Sequence, residues 1–333
     1  MPDRPAAEPV TSGPWRRPAT GRPAEPVWGL DGGVAVGLWP TSGPRGLIRV
    51  YAPYLGQPHP RMVNFISIEP SVRGVRGQSE LEVGRDGKPG LAMWSGDEHD
   101  AATAGRDPSD PAPGTVEQID GVGALTVYMA TEPFRNGARP VVRITLRADR
   151  PHEVGLRVHA APGSAPMDSC VLSATMGNYG RLRRLWLRDE VVDARKVWPT
   201  FDPDPLGFAP WRKWDRDRLL NRDGQLVVAA TSDESNPAGG AYDPAVRPHW
   251  RYQGRPATQY WRTADAPGAV VRVNGRDTYW GKGGPIPGGV SFENFELEVP
   301  FADGQEFWFG VTPAGPDTLG FDPAREKAPT DGR

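Results

Sequence analysis

The sequence predicts an all-β protein: one large antiparallel β-sandwich, or two packed side by side, with few short helices. Three observations carry that expectation. The 333 residues include 41 Gly and 38 Pro, which favours many turns over long helices. Short runs of alternating apolar and polar residues recur along the chain, the pattern of half-buried strands. Asn-Gly and Asp-Gly pairs fall among those runs, and such pairs tolerate the positive φ angles of tight hairpin turns.

The first 25 residues are rich in Pro, Ala and Arg and poor in apolar side chains, so they read as a disordered segment ahead of a domain spanning 26–320. From Trp28 the strand-like runs begin. GLIRVYAPY, RMVNFISIEP, GALTVYMATEPF, PVVRITLRA and HEVGLRVHA come first. CVLSATM, LRRLWLR, QLVVAAT, AVVRVNG, VSFENFELEVPF and QEFWFGVTP follow. Asp86-Gly87, Asn136-Gly137, Asp223-Gly224, Asn274-Gly275 and Asp303-Gly304 are read as hairpin connectors. The stretch 89–114 is polar and reads as a long loop; 211–221 reads as a short helix or a wrapped loop. A sub-boundary is placed near 160–168, and 321–333 is read as a flexible tail.

Composition excludes several classes. Lys plus Arg is 39 against 41 Asp plus Glu, so no basic surface offers itself to nucleic acid. The lone Cys170 rules out a disulfide framework or thiolate cluster, and its apolar neighbours suggest a small buried hydrophobe. The five histidines form no metal-binding spacing, and no phosphate loop, dinucleotide fingerprint or nucleophile elbow occurs, so neither metal nor cofactor is expected. No apolar run is long enough for a membrane helix, and no secretory leader is visible. A cytoplasmic protein is the default, with secretion open if a leader has been removed.

Three groups of residues suggest chemistry. In strands, alternate residues share a face. Glu293 then shares a face with Ser291, Phe295, Leu297 and Val299, while Asn294, Glu296 and Glu298 point to water. Glu69 ends a face with Val63, Phe65 and Ser67, in a strand apolar on both faces and therefore central. Glu80 and Glu82 oppose Leu81 and Val83 and face water. Glu293 and Glu69 are the candidate pair of carboxylates for glycoside hydrolysis. Secondly, Asn178, Tyr179 and Arg181 could neutralise a uronate and move a proton, as a polysaccharide lyase requires; they serve equally as a turn beside a cation-rich strand. Thirdly, PHWRYQGRPATQYWRT and the later VNGRDTYWGKGG place Trp250, Arg251, Tyr252, Gln259, Trp261, Arg262, Asn274, Arg276 and Trp280 in two short stretches. Rings stack on the C–H face of a sugar, and amides and guanidinium groups pair with its hydroxyls. The same rings would also fill a sandwich core.

The expectation is therefore a carbohydrate-active protein taking an oligo- or polysaccharide. A glycosidase leads, a lyase follows, and a non-catalytic carbohydrate-binding or structural β-sandwich is the third reading.

Overall fold

The computed structural model describes residues 10–12, 14–18, 26–38, 45–52, 61–104, 110–175, 180–233, 257–279 and 284–326. Antiparallel strands dominate them and assemble into two sheets of eleven strands each. The α-helices among them, His99–Thr103 and Ala194–Val197, have five and four residues. The all-β expectation is met.

The chain divides into two compact units, each assembled from separate stretches. Met1–Pro53, Asn64–Ser173 and Pro300–Trp308 form the first; Tyr54–Val63, Ala174–Val299 and Phe309–Arg333 form the second.

In the first unit, one layer runs Val10–Ser12, Trp15–Arg17, Val27–Leu30, Ala35–Gly37, Leu47–Ala52, Arg61–Val72 and Ser169–Thr175. The other runs Gln305–Thr312, Glu153–Ala160, Pro140–Arg147, Val122–Thr131 and Met93–Gly96. Arg61–Val72 is flanked on both edges, and Phe65, Ile66, Ile68 and Glu69 are all buried, as a central strand requires. Trp28 is fully buried, and its indole N–H donates to Ala112 O at 3.1 Å, so the ring's polar edge is satisfied inside.

In the second unit, Ser291–Glu298, Val270–Arg276 and Arg212–Asp215 form one layer. Val191–Asp193, Leu182–Trp186, Gln225–Ser232, Thr258–Ala264 and Gln305–Thr312 form the other. The layers lock face to face where Trp261 donates its indole N–H to Phe295 O at 2.9 Å and packs on Phe309.

Several turns follow from the sequence. Asp223 and Gly224 have φ of 53° and 77° between the paired residues Arg222 and Gln225, a two-residue hairpin of the expected kind. Gly137 has φ 86°, and the Asn136 carboxamide caps its turn by accepting from Ala138 N and donating to Pro70 O and Val75 O. Asp120-Gly121 and Arg73-Gly74 make two further hairpins that the sequence reading did not single out.

Other expectations are corrected. Asn274-Gly275 is no connector: it lies inside Val270–Arg276, where the register shifts between Val273 and Gly275. A Cβ on Gly275 would meet Trp198 and the carbonyl of Ser291, so the glycine serves close packing at a bulge. Stretch 211–221 forms the strand Arg212–Asp215, a 3-10 turn Arg216–Arg218 and the strand Leu220–Arg222, with no α-helix. Stretch 89–114 contains the strand Met93–Gly96 and the helix His99–Thr103.

Glu296, expected in water, is fully buried. Phe292, Glu293, Phe295, Glu296 and Leu297 of Ser291–Glu298 are all buried, so both faces of that strand are covered. Leu81 and Val83 are the exposed residues of their stretch, at 59% and 44%, while Glu82 accepts from Arg135 N. That stretch is a series of turns, so strand alternation does not apply to it.

Both ends of the chain hold ordered contacts. Trp15 is 5% exposed, its strand pairs with Val27–Leu30, and Arg17 donates to the carbonyls of Pro113 and Gly114. Phe321 is buried against Trp186, and Arg325 pairs with Asp189. The rest of 1–25, and 327–333, lie outside the described residues.

Candidate functional site

Strand register collects polar residues at one end of the second unit. In one layer Leu182 pairs with Ser232, and Thr231 with Thr258. In the other Arg276 pairs with Ser291. Side chains tie these ends together. Arg181 donates to the Tyr279 hydroxyl at 3.1 Å, and Arg183 reaches Val290 O, Gly289 O and Pro287 O.

The charge buried there is unusual. Arg181 and Arg183 are each 1% exposed, Glu293 is 3% exposed, and Tyr279 and Ser291 are fully enclosed. Burying a charge costs several kcal/mol unless partners are built for it. Arg183 has them: three carbonyls and the Asp233 carboxylate at 3.0 Å. Asp233 also takes Arg195 at 2.6 Å. Arg195 is held charged well above its ordinary value, first by hydrogen bonding to Asp193 and then by the Asp233 charge.

Two polar groups at this strand end lack such provision. The Ser291 hydroxyl and the Arg276 Nε are buried and have no hydrogen-bond partner among the described residues. The two residues face each other across the strand pair. Buried polar groups are satisfied in the large majority of cases, so two orphans on adjoining strands mark a place where a further group belongs. Glu293 follows two residues on along the same strand.

The sequence candidates are distributed as follows. Glu293, Asn274, Arg276, Arg181 and Gln259 all lie in the second unit toward this end. Asn274 Oδ1 accepts from Asn294 N at 3.0 Å, and Arg276 lies over the Phe208 ring. Trp261 is a core residue, fully buried with its N–H on a backbone carbonyl, and lines no groove. Arg262 is half-buried and donates to Gln225 Oε1 at 2.6 Å, near the opposite end of its strand. Glu69 lies in the first unit, where it forms an ion pair with Arg76 at 2.7 Å. Asn178, Tyr179, Trp250, Arg251, Tyr252 and Trp280 lie outside the described residues.

Asp233 was missed in the sequence; its only signal is its place just after the apolar run QLVVAATS. The Cys170 thiol is pushed up to about 12, chiefly by burial with the Glu69 charge adding, which disables it as a nucleophile. Among the described residues no three His, Cys, Asp or Glu side chains are grouped to hold a metal ion, and no helix is long and apolar enough to cross a membrane.

The chain matches no protein-family model and no curated protein. Among solved structures it is similar to the GH36 alpha-galactosidase AgaB from Geobacillus stearothermophilus, with a TM-score of 0.29 and 7% identity. The likeness covers 85% of this chain and 40% of that one, and a resemblance of this size carries no functional argument.

Proposed function

We propose that the protein is carbohydrate-active, that its site is the polar end of the second unit, and that Glu293 supplies the acid for glycoside hydrolysis. The observation that carries the reading is the pair of buried, partnerless groups, Ser291 Oγ and Arg276 Nε, beside a buried carboxylate. Hydroxyl and guanidinium groups of this kind match the dense donors and acceptors of a sugar. A carboxyl group near them can protonate a leaving sugar oxygen. In this reading Glu69 is structural, its charge taken up by Arg76.

The contact between Arg181 and Tyr279 favours a second reading, elimination. A guanidinium on a phenol oxygen stabilises the phenolate, and a phenolate can take the proton α to a uronate carboxylate.

A screen of oligo- and polysaccharides separates the two. Hydrolysis yields reducing ends alone, whereas elimination also yields unsaturated products that absorb in the ultraviolet. On the glycan so identified, Glu293→Gln should cut turnover by about 100-fold or more, the usual scale for a lost general acid, while binding persists. Normal turnover by Glu293→Gln would end the hydrolysis reading.

A further inference from the structure

We propose that the first unit carries a separate saccharide-binding trough on its outer sheet face, and that its ligand is an acidic sugar such as a uronate. The preference for a sugar over another ring-bearing anion rests on the function proposed above; the place and the charge preference do not.

The trough is a product of strand register. Trp94, Ala130, Val141 and His159 are successive cross-strand partners, so their side chains form one row on one face. The two middle members are small, and the row is therefore low at its centre and high at Trp94. The helix His99–Thr103 lies on the same face through Ala102, which packs with Ala130 and Val141. Gly96 permits that approach, since a Cβ there would collide with the backbone of Ala102. The Trp94 indole N–H donates to Ala102 O at 2.7 Å, which fixes the ring as one wall.

The space left is about 340 Å³, at the small end of ligand sites and suited to one or two sugar rings. Arg85 and Arg139 line it along with Thr103 and Asp100. The two arginines distinguish it from an ordinary surface dip. Nearby Arg45, Arg143 and Arg157 are each in an ion pair, with Asp86, Glu117 and Glu306 respectively. Neither Arg85 nor Arg139 makes an ion pair among the described residues. A guanidinium presents a fork of donors that matches a carboxylate. Asp100 is the one acid of the lining, and its side chain is 98% in solvent, where its repulsion is screened. A ring stacked on Trp94 with its carboxylate toward the arginines uses every distinctive feature of the trough.

The test is calorimetric titration of the full chain with a galacturonate trimer and with its methyl ester, which keeps the rings and removes the charge. The acid should bind, the ester at least tenfold more weakly. The double variant Arg85→Gln/Arg139→Gln, whose surface side chains leave the core intact, should weaken the acid tenfold or more and leave the ester unchanged. Arg276→Gln, which removes the sugar-pairing guanidinium of the second unit, should not alter either titration, so this result stands or falls apart from the hydrolysis reading. Equal binding of acid and ester, no binding of the acid at millimolar concentration, or unchanged binding by the double variant would each overturn the proposal. So would loss of acid binding in Arg276→Gln, which would place the ligand in the second unit.

Discussion

The ring of Tyr260 lies directly on Gly310, leaving no room for a Cβ on that glycine. The two residues occupy neighbouring strands, and the ring covers backbone that a glycine would otherwise leave bare. Gly310→Ala should therefore destabilise the protein by about 1–3 kcal/mol, the cost of overpacking a filled interior. The midpoint of urea unfolding reads this directly, and an unchanged midpoint would mean the ring can move aside freely.

Trp15 holds the N-terminal strand to the first unit. It is 5% exposed, and its strand pairs with Val27–Leu30 through Trp15 with Leu30 and Arg16 with Gly29. Trp15→Ala should cost about 3 kcal/mol, the lower end for a core aromatic because so short a strand can relax. Thermal unfolding would show it; a melting curve that overlays the wild type would make the segment dispensable.

Glu80 predicts a pH dependence. Its carboxyl is held above the ordinary 4.5 because burial disfavours the charged form, and attraction to Arg49 offsets only part of this. The folded state then binds the proton more tightly than the unfolded chain does. At neutral pH the ionised group costs stability, and the cost fades as pH falls through the raised value toward 4.5. Glu80→Gln should be more stable than wild type at pH 7 and no different at pH 4. A variant that is less stable at pH 7 would show that the charged carboxylate is favourable where it lies.

The strands were legible because each alternates against a covered and a less covered side, and the hairpin at Asp223-Gly224 because two positive φ angles in succession admit few residue pairs. The same logic misled at Asn274-Gly275. There the glycine answers to Trp198 pressing on the strand, and the asparagine side chain replaces a backbone acceptor for Asn294 N. Nothing local distinguishes those uses from a turn. Glu296 shows a related limit: alternation finds the two faces of a strand but not whether a distant segment covers the second. For the site, alternation grouped Glu293 with Phe295 and Leu297, but the register shifts between Phe292 and Phe295, and simple alternation does not carry across that bulge. The ion pair of Glu69 with the nearby Arg76 was within reach of the sequence, whereas the tie from Arg181 to Tyr279 joins residues 98 positions apart and depends on packing that spacing does not encode.

The way the chain is divided between its units bears on how it emerges from the ribosome. The first unit is completed by Pro300–Trp308, part of the strand that lies beside Glu153–Ala160. Residues 174–299, which belong to the second unit, are translated before that strand exists. The edge of Glu153–Ala160 thus waits unpaired while more than a hundred further residues are made, an invitation to wrong partners. A nascent chain stalled before Pro300 is the species that a chaperone would have to guard, and no single cut in the finished chain separates one unit from the other.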